Sequence, residues 1–180
     1  MNIQQTPLKG CFVIKPSIFK DDRGFFCETF NKKVFHEATG LSIDFVQDNQ
    51  SISTYGVLRG LHFQINKMAQ AKLVRVIQGK VLDIVVDLRK GSESFGKHFS
   101  IVLDDINQEQ LFVPRGFAHG FITISEKSIF SYKCDNFYDK LSERGIIYND
   151  ATLGLDWHLS KEDFVVSEKD LLLPSFNELY

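Results

Sequence analysis

The segment 74–88 constrains the fold more than any other part of the chain. Val74-Arg75-Val76-Ile77-Gln78-Gly79-Lys80-Val81-Leu82-Asp83-Ile84-Val85-Val86-Asp87-Leu88 reads as two strands rich in β-branched residues, pivoting near Gly79 and Lys80. The apolar run 81–86 is broken by Asp83 and falls far short of the roughly 20 residues needed to span a bilayer. Further short runs of Val, Ile, Phe and Thr are expected as strands at 98–103, 110–113, 120–124 and 128–134, punctuated by Pro, Gly and polar clusters. Such a rhythm, without amphipathic helices between the strands, predicts an all-β sandwich or barrel and not a parallel α/β sheet. Helix is expected only at 31–39, closed by Gly40, and in a short piece after Ser160, where Ser160-Lys161-Glu162-Asp163 resembles a capped turn. No linker, repeat or low-complexity run divides the 180 residues, so one domain able to bury its own core is expected.

Charge narrows the function. The chain has 21 Lys+Arg against 23 Asp+Glu, a formal charge of −2 with no long block of one sign. That balance argues against a surface built for nucleic acid or an anionic membrane. Residues 1–10 have no basic start followed by an apolar core, so no secretory signal is expected. Cys11, Cys27 and Cys134 show neither metal-ligand nor redox spacing. They are expected to be reduced, mostly buried thiols of a cytoplasmic protein.

Polar residues interrupt the β pattern in four places. Gln47-Asp48-Asn49-Gln50-Ser51 is followed by Arg59-Gly60-Leu61-His62, which could set a diphosphate-binding fork beside a proton-transfer group; taken alone, Arg59 and His62 are more often solvated or structural. Lys72 opens an apolar strand: facing inward it would be a cation in a low-dielectric site, suited to a developing oxyanion, and facing outward an ordinary strand-end lysine. Pro114-Arg115-Gly116-Phe117-Ala118-His119-Gly120 sets a Gly-flanked His between two strands. Tyr132 shares a strand face with Phe130 and Ser128 by the period of two, as a packing residue or an acid. Downstream stand Glu143-Arg144-Gly145 and Ser167-Glu168-Lys169-Asp170, whose Asp170 is either a surface carboxylate or the group that orients a catalytic His.

The Pro-x-Gly-x-x-His segment ending in His119, with His62 and Gly79 before it, resembles the two half-motifs of the cupin barrels. In metal-binding cupins a second His stands two positions after the first and a Glu seven before the Gly; here those places hold Gln64 and Lys72. A cation repels a divalent metal and an amide oxygen is a weak substitute for imidazole, so no metal is expected.

The likeness extends beyond a fold. Phe45-Val46-Gln47-Asp48-Asn49, Val57-Leu58-Arg59-Gly60-Leu61-His62, Gly91-Ser92 with Phe95-Gly96, Gly116-Phe117-Ala118-His119-Gly120-Phe121, Glu143-Arg144-Gly145 and Ser167-Glu168-Lys169-Asp170 together resemble the dTDP-4-dehydrorhamnose 3,5-epimerase family, over nearly the whole chain and in the family's order. The resemblance implies a cupin-type jelly-roll barrel or β-sandwich with a few short peripheral helices. Its parts would be an N-terminal β segment of about residues 1–50 contributing to a dimer, a barrel of about 51–135, and a C-terminal segment 136–180 packed on it. It implies epimerisation of dTDP-4-dehydro-6-deoxy-D-glucose at C3 and C5 to dTDP-4-dehydro-L-rhamnose, in dTDP-L-rhamnose biosynthesis, without cofactor or metal. By the same resemblance His62 is the base, Asp170 its dyad partner, Tyr132 the acid at C5, and Lys72 with His119 stabilises the C4 enolate oxygen. Arg23, Phe26, Glu28, Gln47, Asn49, Arg59, Glu143 and Lys169 contact nucleotide or sugar, and Tyr138 stacks on thymine. Family members are homodimers in which the segment bearing Arg23 to Glu28 completes the partner's site.

This chain departs from the family pattern at Ile65-Asn66-Lys67-Met68 and Ala71, at His98 and Tyr148 in places of Trp, and at Asp139-Lys140-Leu141, which lacks a Pro. These changes bear on the loop before Lys72 and on thymine stacking. Rival readings are an epimerase of C3 alone or C5 alone, a 3,4-ketoisomerase, a metal-dependent cupin oxygenase, and a non-catalytic module that binds sugar nucleotides. Tyr132 favours the double epimerase over its single-carbon relatives, and Gln64 and Lys72 disfavour the oxygenase.

Overall fold

The computed structural model describes residues 2–179. Its strands are β1 (Asn2–Gln5), β2 (Phe12–Lys15), β3 (Ile18–Asp21), β4 (Gly24–Cys27), β5 (Gln47–Thr54), β6 (Val57–Gln64), β7 (Lys72–Gln78), β8 (Lys80–Asp87), β9 (His98–Asp104), β10 (Gln110–Val113), β11 (Phe117–Thr123), β12 (Lys127–Cys134), β13 (Glu143–Gly145) and β14 (Val165–Val166). Three short helices accompany them: α1 (Lys32–Thr39), α2 (Glu168–Leu171) and α3 (Phe176–Leu179). One sheet runs β1-β2-β10-β7-β12-β5 and the other β13-β6-β11-β8-β9, with β14 added in parallel to β6; β3 and β4 form a separate hairpin. The fold is the all-β, cupin-type jelly roll with short peripheral helices that the strand rhythm and the half-motifs lead one to expect. No helix among the described residues is long and apolar enough to cross a membrane.

The period of two sorts the side chains. On β7, Val74 and Val76 enter the barrel interior with Val81, Val85, Phe121 and Phe130, while Leu73 turns to the outer face and joins Phe12, Phe35 and Phe112. On β8 nearly every residue is buried, because both faces are covered: Val81 and Val85 meet the barrel interior, and Leu82, Ile84 and Val86 meet a second core with Ile146, Leu153, Trp157 and Phe176 of the C-terminal segment. That double burial explains why 81–86 reads as an almost unbroken apolar run. It also fastens the C-terminal segment, and α2 with it, onto the sheet that carries β6.

Two backbone devices shape the barrel near the cleft. Gly79 sits at φ 81° between β7 and β8, and a Cβ there would lie 2.0 Å from the Lys127 carbonyl oxygen, so only glycine fits the pivot. Gly60 and Gly120 face each other across β6 and β11, where a Cβ on either would come within 2.8 Å of the opposite backbone. Their close approach coincides with the register shift of β11 against β6 between His119 and Phe121. His119, expected between two strands, therefore lies inside β11: the turn is made earlier, by Gly116 at φ 83°, and the β11 ladder to β8 continues through Gly120.

Helix α1 follows its sequence signals. Asn31 Oδ1 accepts from the Val34 N–H at 3.2 Å, Gly40 ends the helix in the left-handed region, and Phe35 packs into the outer core. The turn after Ser160 differs from expectation. Residues 161–163 form one 3₁₀ turn that the Ser160 side chain does not cap; its carbonyl accepts from the Asp163 N–H instead. The capping serine is Ser167, whose Oγ accepts from the Asp170 N–H at 3.2 Å and so fixes the start of α2.

Candidate active site

Between the two sheets opens a cleft of about 500 Å³, lined by Arg59, His62, Lys72, His119, Tyr132, Lys169 and Asp170 among others. A second arm of about 290 Å³ shares His62, Lys72 and Tyr132 and extends to Gln47, Asn49, Tyr138 and Glu143. Eleven of the fourteen residues singled out from sequence thus line one connected space. The other three, Arg23, Phe26 and Glu28, line neither arm. Arg23 donates to the Asp21 carboxylate at 2.6 Å, Glu28 accepts from Asn31 Nδ2 at 3.2 Å, and Phe26 is 68% exposed beside Phe19 on the β3–β4 hairpin.

The β6–β11 wall carries two imidazoles on directly paired residues, His62 opposite His119. His62 Nε2 lies 2.7 Å from Asp170 Oδ1, and Asp170 Oδ2 accepts from the Gly60 N–H at 3.3 Å, so both carboxylate oxygens are used. Asp170 is buried, which works to raise its pKa, but the hydrogen bond and charge of His62 and the Gly60 N–H prevail and hold it below the usual carboxylate range. An ionised Asp170 takes the Nε2 proton of His62 as its hydrogen-bond donor and leaves the Nδ1 lone pair to accept another. His119 Nε2 lies 2.9 Å from Asp83 Oδ2 and its ring stacks on Phe130; both members of this pair are buried, and Asp83 Oδ1 has no hydrogen-bond partner among the described residues.

The β5–β7–β12 wall opposes them. Lys72, at the start of β7, pairs in register with Cys134 and places its ammonium 5.8 Å from the centre of the Tyr132 ring. Burial lowers its pKa from the ordinary lysine value, against the pull of Asp83 and Glu143 among its neighbours. Burial likewise raises the Tyr132 phenol above its usual value, opposed by Arg59, which keeps the group protonated. Phe121 and Phe130, stacked at 4.1 Å from opposite sheets, form the apolar back of the cleft.

At the mouth, Arg59 crosses to β5, donating from Nε to Ser53 Oγ at 3.1 Å. Tyr138 and Glu143 form a linked rim. The Tyr138 hydroxyl donates to Glu143 Oε2 at 3.0 Å, the Tyr138 N–H donates to Gln47 Oε1 at 2.9 Å, and Lys169 Nζ donates to Glu143 Oε2 at 2.6 Å. Burial would raise the Glu143 pKa, yet the bonds from Lys169 and Tyr138 bring it below the ordinary glutamate value. Tyr138 remains 53% exposed, leaving a ring face open beside the arm.

A family model described as dTDP-4-dehydrorhamnose 3,5-epimerase matches residues 5–178. The chain belongs to the dTDP-4-dehydrorhamnose 3,5-epimerase family. It is 47% identical to the dTDP-4-dehydrorhamnose 3,5-epimerase of Shigella flexneri over 171 residues, 95% of this chain and 93% of that one. The crystal structure of dTDP-4-dehydrorhamnose 3,5-epimerase from Elizabethkingia anophelis superimposes with a TM-score of 0.95 at 53% identity, covering 99% of this chain and 97% of that one. A dTDP-6-deoxy-D-glucose-3,5-epimerase from Legionella pneumophila, in complex with dTDP-4-keto-L-rhamnose, also gives 0.95, at 42% identity over 99% of this chain and 94% of that one.

Within this family frame the positions that are metal ligands in other cupins have other duties. Gln64 donates to the carbonyls of Met68 at 2.6 Å and Phe137 at 3.1 Å and accepts from the Asp139 N–H at 2.7 Å, so its amide staples two loops and is not free to coordinate. That staple, with the Ala71 N–H donating to Asp135 and Asn136 donating to the Lys67 carbonyl, holds the departing segment 65–71 against the loop after β12 and so sets where Lys72 begins. Sequence reasoning assigned no role to Ser51, Asp83, Phe121 or Phe130. Ser51 was within reach: Gln47, Asn49, Ser51 and Ser53 alternate along β5, which places all four on one face.

Proposed function

We propose that this chain epimerises dTDP-4-dehydro-6-deoxy-D-glucose at C3 and C5 to give dTDP-4-dehydro-L-rhamnose, in dTDP-L-rhamnose biosynthesis. The observation that carries the reading is that a carboxylate-backed imidazole and a half-buried phenol come from opposite sheets into one cleft, with an ammonium whose pKa burial lowers lying beside the phenol. Both carbons flank the C4 ketone, so loss of either proton gives an enolate, and inversion needs a proton taken from one face and returned to the other. His62 takes the proton at Nδ1, with Asp170 holding the ring and stabilising its charge. Tyr132 returns a proton at C5 from the facing wall. Lys72, with His119, stabilises the oxygen at C4 where the charge develops. No hydride acceptor or metal enters these steps.

Arg59 offers its guanidinium to the diphosphate. Gln47, Asn49, Glu143 and Lys169 contact the nucleotide or sugar, and the open face of Tyr138 stacks on thymine. The relative crystallised with dTDP-4-keto-L-rhamnose supports this substrate class. Arg23, Phe26 and Glu28 belong to the same proposal through a homodimer, in which the β3–β4 hairpin of each protomer completes the partner's site. The exposure of Phe19, Phe25 and Phe26 on that hairpin supports it. We treat the chain as a single cytoplasmic domain, a location supported by the unpaired state of Cys11, Cys27 and Cys134.

The test is incubation with dTDP-4-dehydro-6-deoxy-D-glucose in D₂O, followed by NMR at C3 and C5. Deuterium at both carbons with an L-configured product is expected; exchange at C3 alone would overturn the double epimerisation. For the dimer, mixing Arg23→Ala with His62→Ala protomers should regenerate activity that neither variant has alone. No recovery in a verified mixed dimer would show that each site is built from one chain.

A further inference from the structure

The inner face of β5 carries four polar side chains, and three of them are satisfied within the protein. Gln47 bonds Asn49 and the Tyr138 N–H, Asn49 donates to Cys134 Sγ at 3.7 Å, and Ser53 accepts from Arg59. Ser51 is the exception: its Oγ is buried and has no hydrogen-bond partner among the described residues, although the residue lines the cleft. A hydroxyl can turn about Cα–Cβ to meet any nearby acceptor, and leaving one buried and unpaired is unfavourable by a margin that selection seldom tolerates without a use.

Its position defines the acceptor. Ser51 lies between Ser53, to which Arg59 is tied, and Asn49, which pairs in register with Tyr132. Behind it stands Phe130, its own cross-strand partner, stacked on Phe121. Ser51 therefore sits in the cleft wall between the residue tied to the guanidinium and the residue paired with the phenol. We infer that Ser51 is a positioning residue whose hydroxyl donates to a non-bridging oxygen of the sugar-linked phosphate of the bound nucleotide, fixing the distance from the Arg59-held diphosphate to the ring carbon that faces Tyr132. This rests on the reading of the cleft as a dTDP-sugar site and adds a specific contact to it. A hydroxyl donor at this point distinguishes a nucleoside diphosphate from a monophosphate, since only the former has a phosphate there.

The experiment compares Ser51→Ala with the unaltered protein in calorimetric titrations against dTDP and dTMP, alongside thermal unfolding and steady-state kinetics. Ser51→Ala is expected to weaken dTDP binding about tenfold, from the loss of one hydrogen bond to a charged acceptor, while dTMP binding stays within about twofold. KM should rise with the dTDP dissociation constant. The melting temperature should hold or rise, because an unpaired buried hydroxyl has been removed. Unchanged dTDP affinity with a raised melting temperature would overturn the proposal, showing a hydroxyl that is merely unsatisfied. Equal weakening of dTDP and dTMP would also overturn it, showing a change in cleft shape and not a phosphate contact. If the unaltered protein bound neither nucleotide, the reading of the cleft itself would fall; normal binding with an unaffected variant would remove Ser51 alone.

Discussion

On the β6–β11 wall of the cleft each imidazole is backed by a carboxylate: His62 by Asp170 at 2.7 Å and His119 by Asp83 at 2.9 Å. The facing wall carries Lys72, Tyr132 and Ser51, for whose polar side-chain atoms no hydrogen bond or ion pair is formed among the described residues. The first wall is organised internally, so its groups can be oriented and charged before anything binds. Groups on the second are left without protein partners, Ser51 Oγ fully buried and the Lys72 and Tyr132 side chains partly so, and what they lack is what a ligand with oxygen atoms supplies. Proton acceptance and charge stabilisation are thus divided between the sheets, and a substrate lying between them meets a base on one side and donors on the other.

The largest effects should come from breaking the organised wall, and its two pairs should fail differently. His62→Ala is expected to lower the rate of exchange at both C3 and C5 by about 10²- to 10⁴-fold. Its stability should fall by only about 1–2 kcal/mol, since Asp170 keeps the Gly60 N–H and the ring was 29% exposed. His119→Ala removes the one hydrogen-bond partner that the described residues give a fully buried carboxylate and is expected to lose about 3–5 kcal/mol of unfolding free energy, as broken buried pairs do. Urea denaturation of the two variants beside the NMR exchange assay checks the contrast. Equal destabilisation by both would mean that the partly exposed His62–Asp170 pair is as structural as the fully buried one.

Lys72→Met tests the other wall. Removing an oxyanion donor should lower turnover by about 10²- to 10³-fold. Because burial disfavours the charged Lys72 side chain and no anion pairs with it among the described residues, the variant's thermal midpoint should equal or exceed that of the unaltered protein. A clear fall in the midpoint would place Lys72 among the internally satisfied groups and erase the distinction between the walls.

The same division explains what could be read from sequence. Strands at 98–103, 110–113 and 128–134 fall within β9, β10 and β12, and helix 31–39 lies over Asn31 and α1, because their apolar periodicity or caps are local signals. β5 has no such signal. Its inner face, Gln47, Asn49, Ser51 and Ser53, is polar because it lines a cleft, so hydrophobic alternation disappears at the site itself. Motif spacing located His62, Lys72 and His119, and the strand period with the family resemblance brought in Tyr132, but the partner of His119 was hidden: Asp83 looked like a break in an apolar strand, and only the pairing of β8 with β11 brings it to the imidazole. Asp170 stands 108 residues from His62 and was reached through resemblance, since no local pattern joins them. The capping role of Ser167 and the loop staple at Gln64 depend on tertiary neighbours and have no local pattern of their own.

Tyr132→Phe gives a narrower effect and sharpens the assignment of donors to one wall. The ring still packs beside Phe130 at 6.1 Å, so the fold should be unaffected, while the proton returned at C5 is lost. Inversion at C5 is expected to slow about 10²-fold, with deuterium still entering at C3 through the intact His62. If C3 and C5 slowed in parallel, the phenol would be serving both carbons, and the donor of the C3 proton would not need to be sought elsewhere.

The smallest effect concerns the pH dependence of stability. The folded pKa of Asp170 lies below the ordinary carboxylate value, so the fold favours its ionised form. That contribution is complete above the unfolded-state pKa and is lost as pH falls through the folded one. Asp170→Asn deletes it while leaving Asp87, Asp104 and Glu143, which are also held below their usual values, to titrate in both proteins. The difference in urea midpoint between the unaltered protein and the variant should therefore shrink as pH is lowered from about 5 towards 2. A difference constant across that range would mean that Asp170 is no more strongly held when charged than a carboxylate in the unfolded chain, and the internal organisation attributed to the His62 wall would reduce to a hydrogen bond indifferent to charge.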